Sequence, residues 1–184
     1  LGQYEGYLEE DGIDANSSTE TLFFGKAFIN TKRFHGVPFY FFTGKGLDEK
    51  NSEIVIKFKR GQYQDYLFGD TEIPHNRLLI KIAPEDGIEF QMNTKAPGLD
   101  NSIDIASLDY CHKCRAVGNL PEAYEKLLLD LYQGQTTLFA RWDEIETAWK
   151  NIEEIPLNKS NLITYSSFED IKEKVNRRMK GDVL

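Results

Sequence analysis

Apolar and polar residues alternate through the middle of the chain with a period of two, the pattern of strands that turn one face to a core. Ile54, Ile56 and Phe58 share one parity, with Lys57 and Lys59 on the other; Leu78, Ile80 and Ile82 repeat this around Lys81, and Ile88, Phe90 and Met92 around Glu89 and Gln91. Asp86-Gly87 lies between the last two runs and predicts a hairpin. Ile103 and Ile105 alternate next, but Leu108 and Tyr110 resume on the opposite parity, which predicts a bulge or corner near Ala106-Ser107. Leu22 to Ile29 is apolar on both parities, so a helix through Phe24, Ala27, Phe28 and Thr31 competes with a strand covered on both faces. Gly25 and the aromatic density favour the strand.

After Tyr110 the period changes from two to 3.6. Leu120-Pro121-Glu122-Ala123-Tyr124 opens a helix with proline at its first position, and Tyr124, Leu127, Leu128 and Leu131 form its stripe until Gly134 stops it. A second helix follows Asp143-Glu144 and is expected to bury Ile145, Ala148, Trp149 and Ile152, ending by Pro156. A third begins after Ser167, where Asp170 completes a Ser-x-x-Asp capping signature, and carries Phe168, Ile171, Val175 and Met179 on one face. Lys174, Arg177, Arg178 and Lys180 suit its C-terminal end as a solvated basic face. Strands followed by helices point to an α+β fold with an antiparallel sheet.

The densest stretch runs from Phe34 to Lys50. Phe39-Tyr40-Phe41-Phe42 reads as a buried aromatic strand, and Thr43-Gly44-Lys45-Gly46 ends it in a glycine-bracketed turn. Such a turn delivers one cation where backbone N–H groups and the ammonium can face the same anionic or hydroxylated ligand. A solvated turn lysine is the plain alternative.

Composition narrows the field. The 184 residues are 40% hydrophobic and 28% charged, an ordinary globular composition, and the formal net charge is −8. That charge argues against broad binding to nucleic acid or an anionic membrane surface, where affinity comes from neutralising phosphates. No apolar run is long enough for a membrane span, which with the cysteine usage predicts a cytoplasmic protein. The residue at position 1 is Leu1 and not Met, and the chain is expected to be a piece of a longer one that continues upstream. Cys111-His112-Lys113-Cys114 invites a metal or redox role. Zinc needs four ligands, however, and no second cysteine pair exists, while a redox pair needs a helix start; ordinary thiols are expected, and no metal. His35 and His75 lie in loop-like flanks and are expected to face solvent.

Ordered matches from Leu1-Gly2-Gln3-Tyr4 through Thr19-Glu20-Thr21, Gly36-Val37-Pro38-Phe39-Tyr40, Thr43-Gly44-Lys45, Asn76-Arg77-Leu78, Lys95-Ala96-Pro97-Gly98, Leu120-Pro121-Glu122-Ala123-Tyr124 and Phe139-Ala140-Arg141-Trp142-Asp143-Glu144 resemble the C-terminal domain of glucose-6-phosphate dehydrogenases. The resemblance covers residues 1–155, expected to form that domain; residues 156–184 diverge and are expected to be a tail with an amphipathic helix. It implies an α+β domain on a large, mainly antiparallel sheet with a few helices, and oxidation of glucose 6-phosphate to 6-phosphogluconolactone in the pentose phosphate pathway. The hydride would go to NADP, bound mainly by an N-terminal Rossmann domain absent from this chain.

Residue by residue, the resemblance places the family's Thr-Gly-Lys lysine on Lys45 and the basic residue five positions later on Lys50, both implied sugar-phosphate contacts. For Lys50 a surface ion pair with Asp48 or Glu49 competes. No catalytic residue is implied: the family's Asp-His-Tyr segment and the glycine-rich nucleotide fingerprint do not occur, and His35, His75 and His112 occupy none of its catalytic positions. Phe42 stands where the family commonly has Arg, Ala83 where a glutamine often reaches the sugar, and Asn51 and Val55 where a second, structural NADP site would need cations. Family members dimerise through this domain's sheet, which implies a homodimer with its interface on the sheet that contains Leu22 to Ile29. The fragment alone is expected to be inactive. The alternative is a stand-alone, non-catalytic sugar-phosphate-binding or assembly protein derived from such a domain; the reading frame upstream of Leu1 discriminates the two.

Overall fold

The computed structural model describes residues 1–61, 73–100, 102–111, 123–157, 159 and 161–179. In chain order its elements are β1 (Gly2–Tyr4), a single 3₁₀ turn (Tyr7–Glu9), β2 (Leu22–Phe28), β3 (Pro38–Gly44), β4 (Ser52–Lys57), β5 (Arg77–Ala83), β6 (Gly87–Lys95) and β7 (Ile103–Cys111). Then come α1 (Ala123–Tyr132), α2 (Trp142–Glu153), β8 (Ile163–Tyr165) and α3 (Phe168–Met179). This is the expected α+β class, with the described strands in two sheets of four. The chain divides into two compact units, Leu1–Glu49 with Phe139–Leu184, and Lys50–Leu138.

The first unit holds the sheet β3-β2-β1-β8. β2 and β3 pair antiparallel along their whole length, from Leu22 opposite Gly44 to Phe28 opposite Pro38, which settles the choice between helix and strand for this segment. β1 pairs antiparallel with β2 and parallel with β8, placing Tyr4 beside Tyr165. Alternation then sends Leu22, Phe24 and Phe42 to one face, where they meet Tyr4, Ile163 and Tyr165. α3 covers that face with Phe168, Ile171 and Val175, and Leu22, Tyr165, Ile171 and Val175 are the buried centre of this core. The Ser167 half of the Ser-x-x-Asp signature forms as expected at the start of α3, and the carboxylate half lands one residue earlier, on Ser166. The Ser167 hydroxyl accepts the Asp170 N–H at 3.2 Å, and the Asp170 carboxylate accepts the Ser166 N–H at 3.1 Å.

The second unit holds the sheet β4-β5-β6-β7, antiparallel throughout. The expected hairpin joins β5 to β6. The expected bulge near Ala106-Ser107 is absent: β6 and β7 pair without a break from Gly87 opposite Cys111 to Lys95 opposite Ile103. Leu108 lies opposite Phe90 and Tyr110 opposite Ile88, so both join the face that carries Ile54, Ile56, Leu78 and Ile80. Ile103 and Ile105 lie on the other face, opposite Lys95 and Asn93. The parity change is a change of face along one regular strand. The register shift that does occur lies between Ser52 and Glu53.

Burial departs from expectation here. Ile54, Ile88 and Leu108 are 50%, 48% and 62% exposed, so a face predicted to be buried is open. The stripes of α1 and α2 are open as well, with Leu131 67% and Trp149 61% exposed. The proline expected to start α1, Pro121, lies outside the described residues. Its end is as read: Gly134 adopts φ +68°, and the Gln135 N–H reaches back to the Asp130 carbonyl at 2.8 Å.

Candidate functional site

Lys45 follows directly on β3, and three layers of structure hold its turn. The first is the backbone. The Lys45 N–H donates to the Thr21 carbonyl at 2.8 Å, and the Lys45 carbonyl accepts the Tyr165 hydroxyl at 2.6 Å. Both polar groups of the residue are therefore fixed, one on each side of its Cα, and with them the direction in which its Cα–Cβ bond leaves the backbone.

The second layer is the next residue. Gly46 sits at φ +62°, a conformation that L side chains rarely adopt, and a Cβ there would come within 2.7 Å of the Tyr4 ring. Tyr4 is itself tied through its hydroxyl to Glu10, a hydrogen bond that pushes its phenol up to about 12. The third layer is α3. Leu47 packs into the core, and the Asp48 carboxylate accepts the Phe168 N–H at 3.0 Å, at the first turn of that helix. The side chain of Lys45 is exposed, and among the described residues its ammonium has no hydrogen-bond or ion-pair partner.

The departure at Phe42 acquires a physical reason. Phe42 is on the core face of β3 and meets the Phe168 ring edge-on at 5.6 Å, so an apolar contact replaces the cation the family commonly has there. Asp48 is engaged by α3. Lys50 opens the second unit, exposed and without an ion-pair partner among the described residues, so the ion pair that competed for it does not form. Lys45 and Lys50 thus fall in different units.

Other candidates lead away from chemistry. His35 and His75 are exposed, as expected, and the His75 Nδ1 lies 2.7 Å from the Phe58 carbonyl oxygen. Cys111 ends β7 and is disulfide-bonded, which corrects the expectation of an ordinary thiol at that position. His112, Lys113 and Cys114 lie outside the described residues. Among the described residues no group of three or more His, Cys, Asp or Glu could hold a metal ion, and no helix is long and apolar enough to cross a membrane. Asn51 and Val55 carry no cation for a dinucleotide phosphate, and the sequence has no glycine-rich nucleotide turn. The residues present do not fit NADP.

One residue that braces the turn had escaped the sequence. Tyr165 is fully buried, its hydroxyl contacts three oxygens of the turn and its flank, and burial pushes its phenol above the ordinary value. The signal was faint: a β-rich triplet, Ile163-Thr164-Tyr165, just ahead of the Ser167 cap.

Fold and site together define a domain that presents a cation from a braced turn at the end of a sheet strand. Residues 1–182 match the family described as glucose-6-phosphate dehydrogenase, C-terminal domain. The glucose-6-phosphate 1-dehydrogenases of Borreliella burgdorferi and Bacillus subtilis are 43% and 40% identical over 152 and 149 residues, covering 82% and 81% of this chain. The chain spans 31% and 30% of their lengths. A solved glucose-6-phosphate dehydrogenase in complex with its substrate glucose-6-phosphate superposes with a TM-score of 0.74 at 32% identity, over 91% of this chain and 37% of that one. The enzyme from Mycobacterium avium gives 0.71 at 28% identity, over 89% and 34%. The chain belongs to the glucose-6-phosphate dehydrogenase C-terminal domain family.

Proposed function

We propose that this chain is the substrate-completing and dimerising C-terminal part of a cytoplasmic glucose-6-phosphate dehydrogenase, with Lys45 and Lys50 as contacts to the sugar phosphate. The Lys45 ammonium carries the proposal: exposed, unpaired among the described residues, and set on a backbone locked at both its N–H and its C=O. A lysine in that setting is a point charge for phosphate or hydroxyl oxygens. A fixed backbone lowers the ordering cost of engaging them. In the complete enzyme an N-terminal Rossmann domain would hold NADP and supply the hydride acceptor, while residues of this chain bind and orient the sugar phosphate.

Two charge-assisted contacts contribute roughly 1.5–3 kcal/mol each, equivalent to a Kd of about 0.05–5 mM before association costs. The chain by itself is therefore expected to hold glucose 6-phosphate weakly and to turn none of it over. For dimerisation, support comes from the face of the first sheet opposite its core. Phe23, Ala27, Phe39 and Phe41 share that face, and Phe41 is 53% exposed. An apolar surface of this kind suits an isologous contact with a second copy.

The test is a turnover assay with glucose 6-phosphate and NADP on the 184-residue chain and on the full-length protein. Activity is expected in the full-length protein only. Turnover by the chain alone would overturn the proposal.

A further inference from the structure

The Tyr165 hydroxyl has a single proton and three oxygen neighbours. It lies 2.6 Å from the Lys45 carbonyl, 3.2 Å from the Thr21 carbonyl and 3.0 Å from Thr21 Oγ1. Thr21 Oγ1 already accepts the Tyr4 N–H at 2.9 Å. The shortest contact takes the tyrosine proton, which leaves the tyrosine oxygen to accept from the Thr21 hydroxyl. A directional chain results, from Tyr4 N–H to Thr21 to Tyr165 to the Lys45 carbonyl. Its members polarise one another.

Geometry makes this chain specific to Lys45. The Thr21 residue that relays the proton also offers its own carbonyl to the Lys45 N–H. Thr21, just ahead of β2, and Tyr165 of β8 therefore grip both peptide groups around Lys45. Tyr165 is fully buried between Tyr4 and α3, and its backbone carbonyl in turn accepts the Glu5 N–H at 2.8 Å. Full burial of the ring against Tyr4 confines the hydroxyl to this position.

We infer that Tyr165 is a positioning residue for the sugar-phosphate contact: through its hydrogen bond to the Lys45 carbonyl it sets the direction in which the Lys45 ammonium is presented. The segment from Ile163 onward thereby becomes part of the substrate site without touching substrate. This inference rests on the assignment of Lys45 as a sugar-phosphate contact.

The test is steady-state kinetics on the full-length protein with Tyr165→Phe, Lys45→Ala and the double variant. Tyr165→Phe keeps the ring and removes the hydroxyl that donates to the Lys45 carbonyl and accepts from Thr21, so KM for glucose 6-phosphate should rise about three- to tenfold. The kcat should stay within about twofold and KM for NADP should not change. In the Lys45→Ala background the second substitution should add nothing. Ile171→Val, which trims the same core without touching the hydroxyl, should lower the melting temperature and leave KM alone. Should Tyr165→Phe fail to fold, Thr21→Val removes the hydroxyl that feeds the chain and should raise KM about twofold. An unchanged KM in Tyr165→Phe, or in Thr21→Val when that variant takes its place, overturns the inference while leaving Lys45 in place. So does an equal rise with and without Lys45. An unchanged KM in Lys45→Ala overturns the substrate-contact assignment, and the inference falls with it.

Discussion

The two units are built from sheets of equal strand number, yet they are stabilised differently. The first closes one face with α3 and has a buried centre of Leu22, Tyr165, Ile171 and Val175. The second has the more regular ladder, nine residue pairs unbroken between β6 and β7, and leaves Ile54, Ile88 and Leu108 about half exposed or more. Hydrogen bonding thus aligns a strand without burying it. The difference matters because a cation meant to meet a ligand must be held still, and the turn that carries Lys45 lies where burial is deepest. Net hydrogen-bond contributions of about 1 kcal/mol are small beside the burial of large apolar side chains, so the first unit should be the rigid one.

Truncation separates the two cases most strongly. Ile171→Ala should cost about 2–5 kcal/mol in the opening free energy of β1, β2 and β8 amides, read by native-state hydrogen exchange. Leu108→Ala, on the open face of the second sheet, should change the opening of β6 and β7 by no more than about 0.5 kcal/mol. A loss at Leu108 as large as that at Ile171 would break the comparison, because it would mean that the second face is covered.

A smaller effect is expected at the turn itself. Gly46→Ala forces a side chain into a left-handed conformation and against the Tyr4 ring, for about 1–3 kcal/mol. Its signature should be local, with faster exchange at Lys45 and Leu47 and little change in β5 or β6.

The smallest effect is a pH dependence confined to the second sheet. Glu89 accepts hydrogen bonds from Lys81 and Gln91, both at 2.8 Å, and from Ser107 at 3.0 Å; these draw its carboxyl down to about 2. Since the folded value lies below the unfolded one, the stabilisation is fully present above the ordinary carboxylate range and is lost as pH falls toward 2. Lys81 is partly solvated, so the effect is modest. Glu89→Gln should flatten the acid limb of the second unit's exchange profile and leave the first unit's unchanged.

Much of this was legible in the chain. Period-two runs located β4, β5 and β6, and helical spacing with caps located α2 and α3. The glycine-bracketed Lys45 marked the turn. What escaped has physical causes. β1 and β8 are three residues each, too short to show a period, and their parallel pairing joins positions some 160 residues apart. The regular pairing of β7 was mistaken for a bulge because a strand can move its apolar residues from one face to the other without slipping. Residues after 155 were read as a tail because their sequence diverges, yet Tyr165 and Ile171 are the most deeply buried side chains described. A core contact constrains volume and polarity, and many sequences satisfy it.

The most direct measurement is KM for glucose 6-phosphate in the full-length protein carrying Lys45→Ala. Loss of one charge-assisted contact to the sugar phosphate should raise it about tenfold or more, with KM for NADP unchanged. A KM equal to that of the unsubstituted protein would contradict the assignment of this turn to the substrate.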